Sequence, residues 1–161
     1  MRRVDYWVGV PLCFLLTVGV RLLERVRGKH ANEAPRKILF IELSEMGSTI
    51  IASAMIRRVQ ERYRSAEHCF CIFKKNAASL RLLGLFREEN IFTIRDDSLA
   101  HMATDVWRFM RFCRRERIDT VIDLELFSRI SSLLSLLSGA TARVGFHNYR
   151  GEGLYRGEHL T

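Results

Sequence analysis

Ser44, Glu45, Gly47, Ser48 and Thr49 fall within six residues, directly behind an apolar run that ends at Leu43. A carboxylate among three hydroxyls and a glycine can take a proton from a bound hydroxyl. The same set can donate hydrogen bonds to a sugar or phosphate at a helix N-terminus. Glu45 is the base in this reading, because a serine hydroxyl is a poor base at neutral pH without a neighbour to activate it. The blander alternative makes Glu45 a solvated loop residue. Three further polar groups stand behind other apolar runs. Lys74 and Lys75 suit a phosphate, or are merely solvated. Glu125 and Arg129 offer a carboxylate and a guanidinium four residues apart. His147 and Asn148 follow the last run, where a loop histidine has a structural reading beside its catalytic one.

The elements that must position these groups follow from hydrophobic spacing. Residues 37–43 (KILFIEL) are almost continuously apolar, as in a strand buried on both faces of a parallel sheet. Gly47 marks a tight turn in this reading. A helix follows over about residues 49–63, with Ile51, Ala54, Met55 and Val59 as its apolar face and Arg57, Arg58, Glu61 and Arg62 opposite. Residues 68–73 (HCFCIF) form a second strand and residues 77–83 a helical stretch. Residues 90–94 (NIFTI) form a third strand. Leu99, Met102, Val106, Phe109, Met110 and Cys113 then keep helical spacing, with Ser98 or Asp97 as the cap. Residues 120–124 (TVIDL) are the fourth strand. Ile130, Leu133, Leu134 and Leu137 form a core-facing stripe, and Gly139 is placed to end that helix in the left-handed conformation. Residues 142–146 (ARVGF) are the fifth strand. Strands alternating with helices imply right-handed crossovers and an α/β, doubly wound, mostly parallel sheet. In such sheets ligands bind beyond the carboxyl ends of the strands, which is where all the polar groups above fall. Neither a G-x-G-x-x-G nor a Walker A sequence is present, so a self-contained nucleotide site is not expected.

The stretch ILFIELSEMGSTIIASAMIRR (residues 38–58) resembles the opening of family 9 glycosyltransferases, the lipopolysaccharide heptosyltransferases, in which a strand runs through a Leu-Ser-x-x-Gly-Asp turn into a helix. IDLE (residues 122–125) with its Ser/Leu-rich continuation, and SGATARVGF (residues 138–146), are similar to two later segments of that family, in the same order. The resemblance spans about residues 37–150. It implies the N-terminal, Rossmann-like, acceptor-side domain of a GT-B fold, and inverting transfer from a nucleotide-sugar donor of the ADP-heptose kind to a lipopolysaccharide or related membrane glycan. It also implies acceptor contacts at Ser44, Gly47, Ser48, Thr49, Lys74, Glu125, Arg129 and His147. The family places an aspartate base directly after the turn glycine. Here that position is Ser48, and Glu42 stands where a basic residue is usual. A C-terminal donor domain would lie beyond Thr161, so the chain reads as residues 37–161 of an acceptor-side half. The competing expectation is a non-catalytic, membrane-tethered domain that binds a glycan or phosphate.

The chain of 161 residues carries a formal net charge of +8, and about half of the excess lies in residues 1–36. Basic charge favours acidic partners: nucleic acid, anionic lipid or phosphorylated glycan. Aromatics do not interleave with the arginines, which argues against nucleic acid. Residues 6–23 (YWVGVPLCFLLTVGVRLL) are apolar, with Tyr6 and Trp7 suited to a lipid–water interface and basic residues on both sides. Residues 1–27 are therefore expected to be a membrane-associating segment, joined by a linker at 28–36. A helix lying in the interface is the preferred form; a single-pass anchor with Arg21 snorkelling, a core helix and a cleaved signal peptide stay open, the last disfavoured because no A-x-A cleavage site follows. The basic flanks suit an anionic lipid surface, and the family resemblance implies the cytoplasmic face of an inner membrane. Cys13, Cys69, Cys71 and Cys113 form no CxxC pair and read as reduced, buried thiols; no metal site is expected.

Overall fold

The structure, a computed structural model, describes residues 34–43, 46–126 and 128–146. Among the described residues five strands and four helices alternate: β1 (Lys37–Ile41), α1 (Met46–Arg62), β2 (Glu67–Phe73), α2 (Ala77–Leu83), β3 (Ile91–Ile94), α3 (Leu99–Glu116), β4 (Thr120–Asp123), α4 (Arg129–Leu137) and β5 (Ala142–Gly145). Short 3-10 turns at Lys74–Asn76 and Glu88–Asn90 lead into α2 and β3. The strands form one sheet in the order β3-β2-β1-β4-β5, and every neighbouring pair is parallel. The expected α/β sheet is present, with the strand and helix positions read from the sequence shifted by only a few residues at their ends.

Parallel strands need crossovers, and each crossover helix must bury a stripe against the sheet. The side chains alternate accordingly. Leu39, Ile41, Cys69, Cys71, Ile94 and Val121 pack on one face against Phe109, Phe112 and Cys113 of α3 and Leu134 of α4. Ile38, Phe40, Phe70 and Ile72 pack on the other against Ile56 of α1 and Ala77 and Leu80 of α2. Helices thus cover both faces, and the sheet is doubly wound. Cys69 and Cys71 do share a strand face, and with Cys113 they are buried and free.

Local chemistry sets the helix ends. Ser98 caps α3, its Oγ accepting from the His101 N–H at 3.1 Å, while Asp97 instead meets the His101 ring at 2.8 Å. The helix runs one turn past Cys113 and closes on Arg117 at φ 55°. Gly139, at φ 75°, follows α4 in the left-handed region where a side chain would be strained.

Three sequence expectations need correction. Gly47 is not a turn glycine: it lies in the first turn of α1 and has no positive φ. The buried face of α1 is not Ile51, Ala54 and Met55. Thr49 and Ile56 are buried, with Ala52 and Val59 packed beside them, whereas Ile50, Ile51, Ala54 and Met55 face outward. Both sets keep helical spacing, so spacing alone does not choose between them. The third concerns α4, whose inner face is built as much from Ser131, Ser132 and Ser135 as from Leu134, with Leu133 and Leu137 half-buried. The Ser135 hydroxyl donates to the Ser131 carbonyl at 2.9 Å, so the helix satisfies its own buried hydroxyl.

Among the described residues no helix is long and apolar enough to cross a membrane. The expected membrane segment at 1–27 and most of the linker lie outside the described residues.

Candidate functional site

The strand order reverses between β1 and β4: from β1 the chain proceeds outward to β2 and β3, then returns to β4 on the other side. A crevice opens at such a switch point beyond the carboxyl ends of the two strands. The polar residues that shape it are buried: Glu42 after β1, Asn76 after β2, Asp123 and Glu125 at the end of β4, and Arg129 and Ser131 at the start of α4; the apolar Leu43 beside Glu42 is buried too.

The backbone leaving β1 is gripped from both sides. The Leu43 N–H donates to Glu125 Oε1 at 2.8 Å, and the Leu43 carbonyl accepts from Asn76 Nδ2 at 2.7 Å. The Glu42 N–H donates to the Cys71 carbonyl at 3.2 Å. Leu43 has left the strand ladder, so these side chains supply the partners that a neighbouring strand would otherwise give. Both contacts fall immediately before Ser44.

Glu125 is itself held. Its N–H donates to Asp123 Oδ1 at 3.1 Å, an Asx-type turn that bends the chain out of β4. The second Asp123 oxygen accepts from Ser131 Oγ at 3.1 Å, and Ser128 caps α4 by accepting from the Ser131 N–H at 3.2 Å. Asp123 therefore joins β4, the following loop and the first turn of α4. This gives the Ile-Asp-Leu-Glu segment a physical meaning: Asp123 sets the turn that lets Glu125 reach across to β1. Sequence places Asn76 in a candidate loop beyond the second strand, but its bond to Leu43 and the bridging role of Asp123 were missed, because a side chain that bonds a distant backbone leaves no periodic signal.

The expected site residues take the following places. Gly47, Ser48 and Thr49 all lie in the first turn of α1. Gly47 is exposed, Ser48 half-buried and Thr49 buried. Glu125 and Arg129 are both buried beside the crevice. Lys74 is exposed. It lines an open groove of about 320 Å³ along the edge strand β3, together with Arg95, Asp105 and Arg108. Lys75 is paired with Asp96. Ser44, Glu45 and His147 lie outside the described residues.

The groove beside β3 is organised by one ion pair. Asp105, on α3, is 1% exposed. It accepts from Arg95 Nε and Nη2, each at 2.8 Å, and from the Arg95 N–H at 3.0 Å. Arg108 Nη1 adds a contact at 3.2 Å. Hydrogen bonds from the Arg95 guanidinium, opposed by burial, bring the Asp105 carboxyl down to about 2. Arg95 therefore fastens the exit of β3 to α3. The buried thiols are chemically quiet. Burial pushes Cys69 up to about 11 and Cys113 up to about 12, and holds Cys71 well above the usual thiol range, so each keeps its proton at neutral pH. Among the described residues no group of three His, Cys, Asp or Glu side chains is arranged to hold a metal ion.

No family model matches the chain, and no curated protein matches it in sequence. Solved structures do match in fold. A glycosyl transferase family 9 protein from Veillonella parvula superposes with a TM-score of 0.61 at 14% identity, covering 78% of this chain and 37% of that one. The Escherichia coli heptosyltransferase WaaC, solved with ADP-2-deoxy-2-fluoro heptose, superposes with a TM-score of 0.54 at 14% identity, covering 68% of this chain and 36% of that one. The present chain thus spans a little over a third of the length of either protein. Over the part that these structures share with it, the chain has a glycosyltransferase family 9, heptosyltransferase-like fold.

Proposed function

We propose that this chain is the acceptor-binding side of an inverting glycosyltransferase. Its substrate is a lipopolysaccharide or related membrane glycan at the cytoplasmic face of an inner membrane. Its donor is a nucleotide-activated sugar of the ADP-heptose class, held by a further domain. The observation that carries the reading is the two-sided grip on Leu43 by Glu125 and Asn76, at the switch point of a heptosyltransferase-like fold. That grip fixes the chain immediately before Ser44 and Glu45 and sets the start of α1 beyond the crevice. A chain held in this way leaves β1 in a fixed direction at the crevice, and fixed direction is what positioning a reacting sugar hydroxyl requires.

In the reaction the acceptor hydroxyl oxygen attacks the anomeric carbon. The bond from that carbon to the nucleotide diphosphate breaks on the opposite face, and the diphosphate leaves with the electron pair. The hydroxyl proton passes to a base, and Glu45 is the residue proposed for it. Ser48 and the first-turn N–H groups of α1 orient the acceptor, and Thr49, Glu125 and Arg129 form the wall behind them. In a full-length protein with its donor-binding part, Glu45→Gln is expected to lower turnover of the nucleotide sugar by about 10²–10⁴-fold, with glycolipid binding retained. Unchanged turnover would remove Glu45 from the mechanism.

Ser48 favours a second reading, a domain that binds a glycan or phosphate without catalysis. It occupies the place of the expected aspartate, half-buried in the first turn of α1. Glycolipid binding by the wild-type protein with no sugar transfer from any nucleotide donor would select this reading.

A further inference from the structure

We infer that the outward face of α1 is a docking surface for an anionic lipid bilayer. This deepens the proposed function, and rests on it, by assigning the surface that turns the crevice toward a membrane-bound acceptor. The first two turns of α1 expose apolar side chains to solvent. Ile51 is 83% and Ile50 54% exposed, and Ala54 and Met55 lie on the same outward face. Hydrophobic spacing alone assigns Ile51 and Met55 to the core, so their exposure leaves a large apolar stripe without a partner among the described residues. The remainder of the helix changes character. Arg57, Arg58 and Arg62 on the helix, and Arg64 just past its end, are all exposed, against a single acidic residue, Glu61. None of these four arginines forms an ion pair among the described residues, whereas Lys37, Lys75, Arg81 and Arg95 do.

Apolar anchors next to unpaired arginines complement one kind of partner, a surface with acyl chains beneath negative headgroups. A wholly apolar partner would leave the arginines desolvated, and an acidic protein surface would leave Ile50 and Ile51 uncovered. The position on the fold matters equally. The apolar half of α1 is its N-terminal half, which lies at the crevice end of the sheet. Docking through Ile50 and Ile51 therefore brings the mouth of the crevice to the headgroup layer.

The test reads α1 locally, so that attachment through residues 1–27 cannot imitate it. In the full chain carrying Cys13→Ser, Ile51→Cys is labelled with an environment-sensitive fluorophore. The buried, protonated Cys69, Cys71 and Cys113 do not compete for the label. Ala103→Cys, exposed on α3 at the opposite face of the sheet, is the control. Vesicles containing phosphatidylglycerol should shift the emission at position 51 to the blue and expose it to a lipid-borne quencher. Phosphatidylcholine vesicles should not, and position 103 should stay unchanged with either. Replacing Arg57 or Arg58 by Gln should weaken the response to anionic vesicles about fivefold each. The inference is overturned if the chain binds anionic vesicles while position 51 stays in water. It is equally overturned if position 51 is already shielded without lipid, which would mean that another part of the chain covers the helix. Sugar transfer to a detergent-solubilised acceptor is measured separately, so a failed transferase reading and a failed docking surface give different results.

Discussion

Replacing Asp105 with Asn should destabilise the fold by an amount that depends on pH in a defined window. Asp105 is almost fully buried and receives three hydrogen bonds from Arg95, two of them from the guanidinium. Its carboxyl titrates at about 2, against 3.8 for an ordinary aspartate. That gap corresponds to roughly 2.5 kcal/mol of folding free energy. The cost of breaking a fully buried pair reaches about 3–5 kcal/mol, but Arg95 is 32% exposed and can be rehydrated when its partner is neutralised. The Arg108 contact, from a mostly exposed side chain, adds little. The expected loss at neutral pH is therefore about 2–3 kcal/mol, or roughly 5–10 °C in Tm. The sign follows from the direction of titration. A depressed carboxyl stabilises the fold above the pKa of the unfolded chain, and that contribution disappears as pH falls through the folded value. About half should be gone near pH 3 and most near pH 2. Urea unfolding of wild type and Asp105→Asn at pH 7, 4 and 3 reads the difference directly. A loss below about 0.5 kcal/mol, or one that stays constant from pH 7 to pH 3, would refute the assignment.

Two further outcomes are expected. His68 stacks on Phe40, its Nε2 is buried without a partner, and burial lowers its pKa from the usual 6.5. The fold then holds the neutral ring, so stability present above pH 6.5 should decline as pH drops below it; His68→Phe should flatten the thermal stability between pH 7 and 5, and an unchanged slope would count against the effect. At the crevice, Glu125→Gln keeps an oxygen for the Leu43 N–H and should cost under about 1.5 kcal/mol, whereas Glu125→Ala leaves that N–H buried and unpaired and should cost about 1–3 kcal/mol. Equal losses in the two variants, read by urea unfolding, would show that the hydrogen bond is not what Glu125 contributes.

Strand positions were legible because buried parallel strands write themselves as continuous apolar runs, as in KILFI and CFCIF. The α3 face was legible because a long helix with one buried stripe repeats its pattern over many residues. The α1 face was not. Its sequence offers two stripes at helical spacing, and the buried one runs through Thr49 and the small Ala52, which a count of large apolar residues passes over. In α4 the buried serines hide the inner face from a count of leucines. The site was legible as a set of loops, since the ends of parallel strands are fixed once the strands are known. The Leu43 grip was not, because Asn76 and Glu125 lie 33 and 82 residues from the backbone groups that they bond.

That grip has an evolutionary consequence. Asn76 and Glu125 fix the course of Leu43 from two elements far from it in sequence, so that course does not depend on which side chains follow it. Scaffold and chemistry can then diverge at different rates. A lineage can keep this architecture intact while its reagent groups are exchanged, relocated or lost.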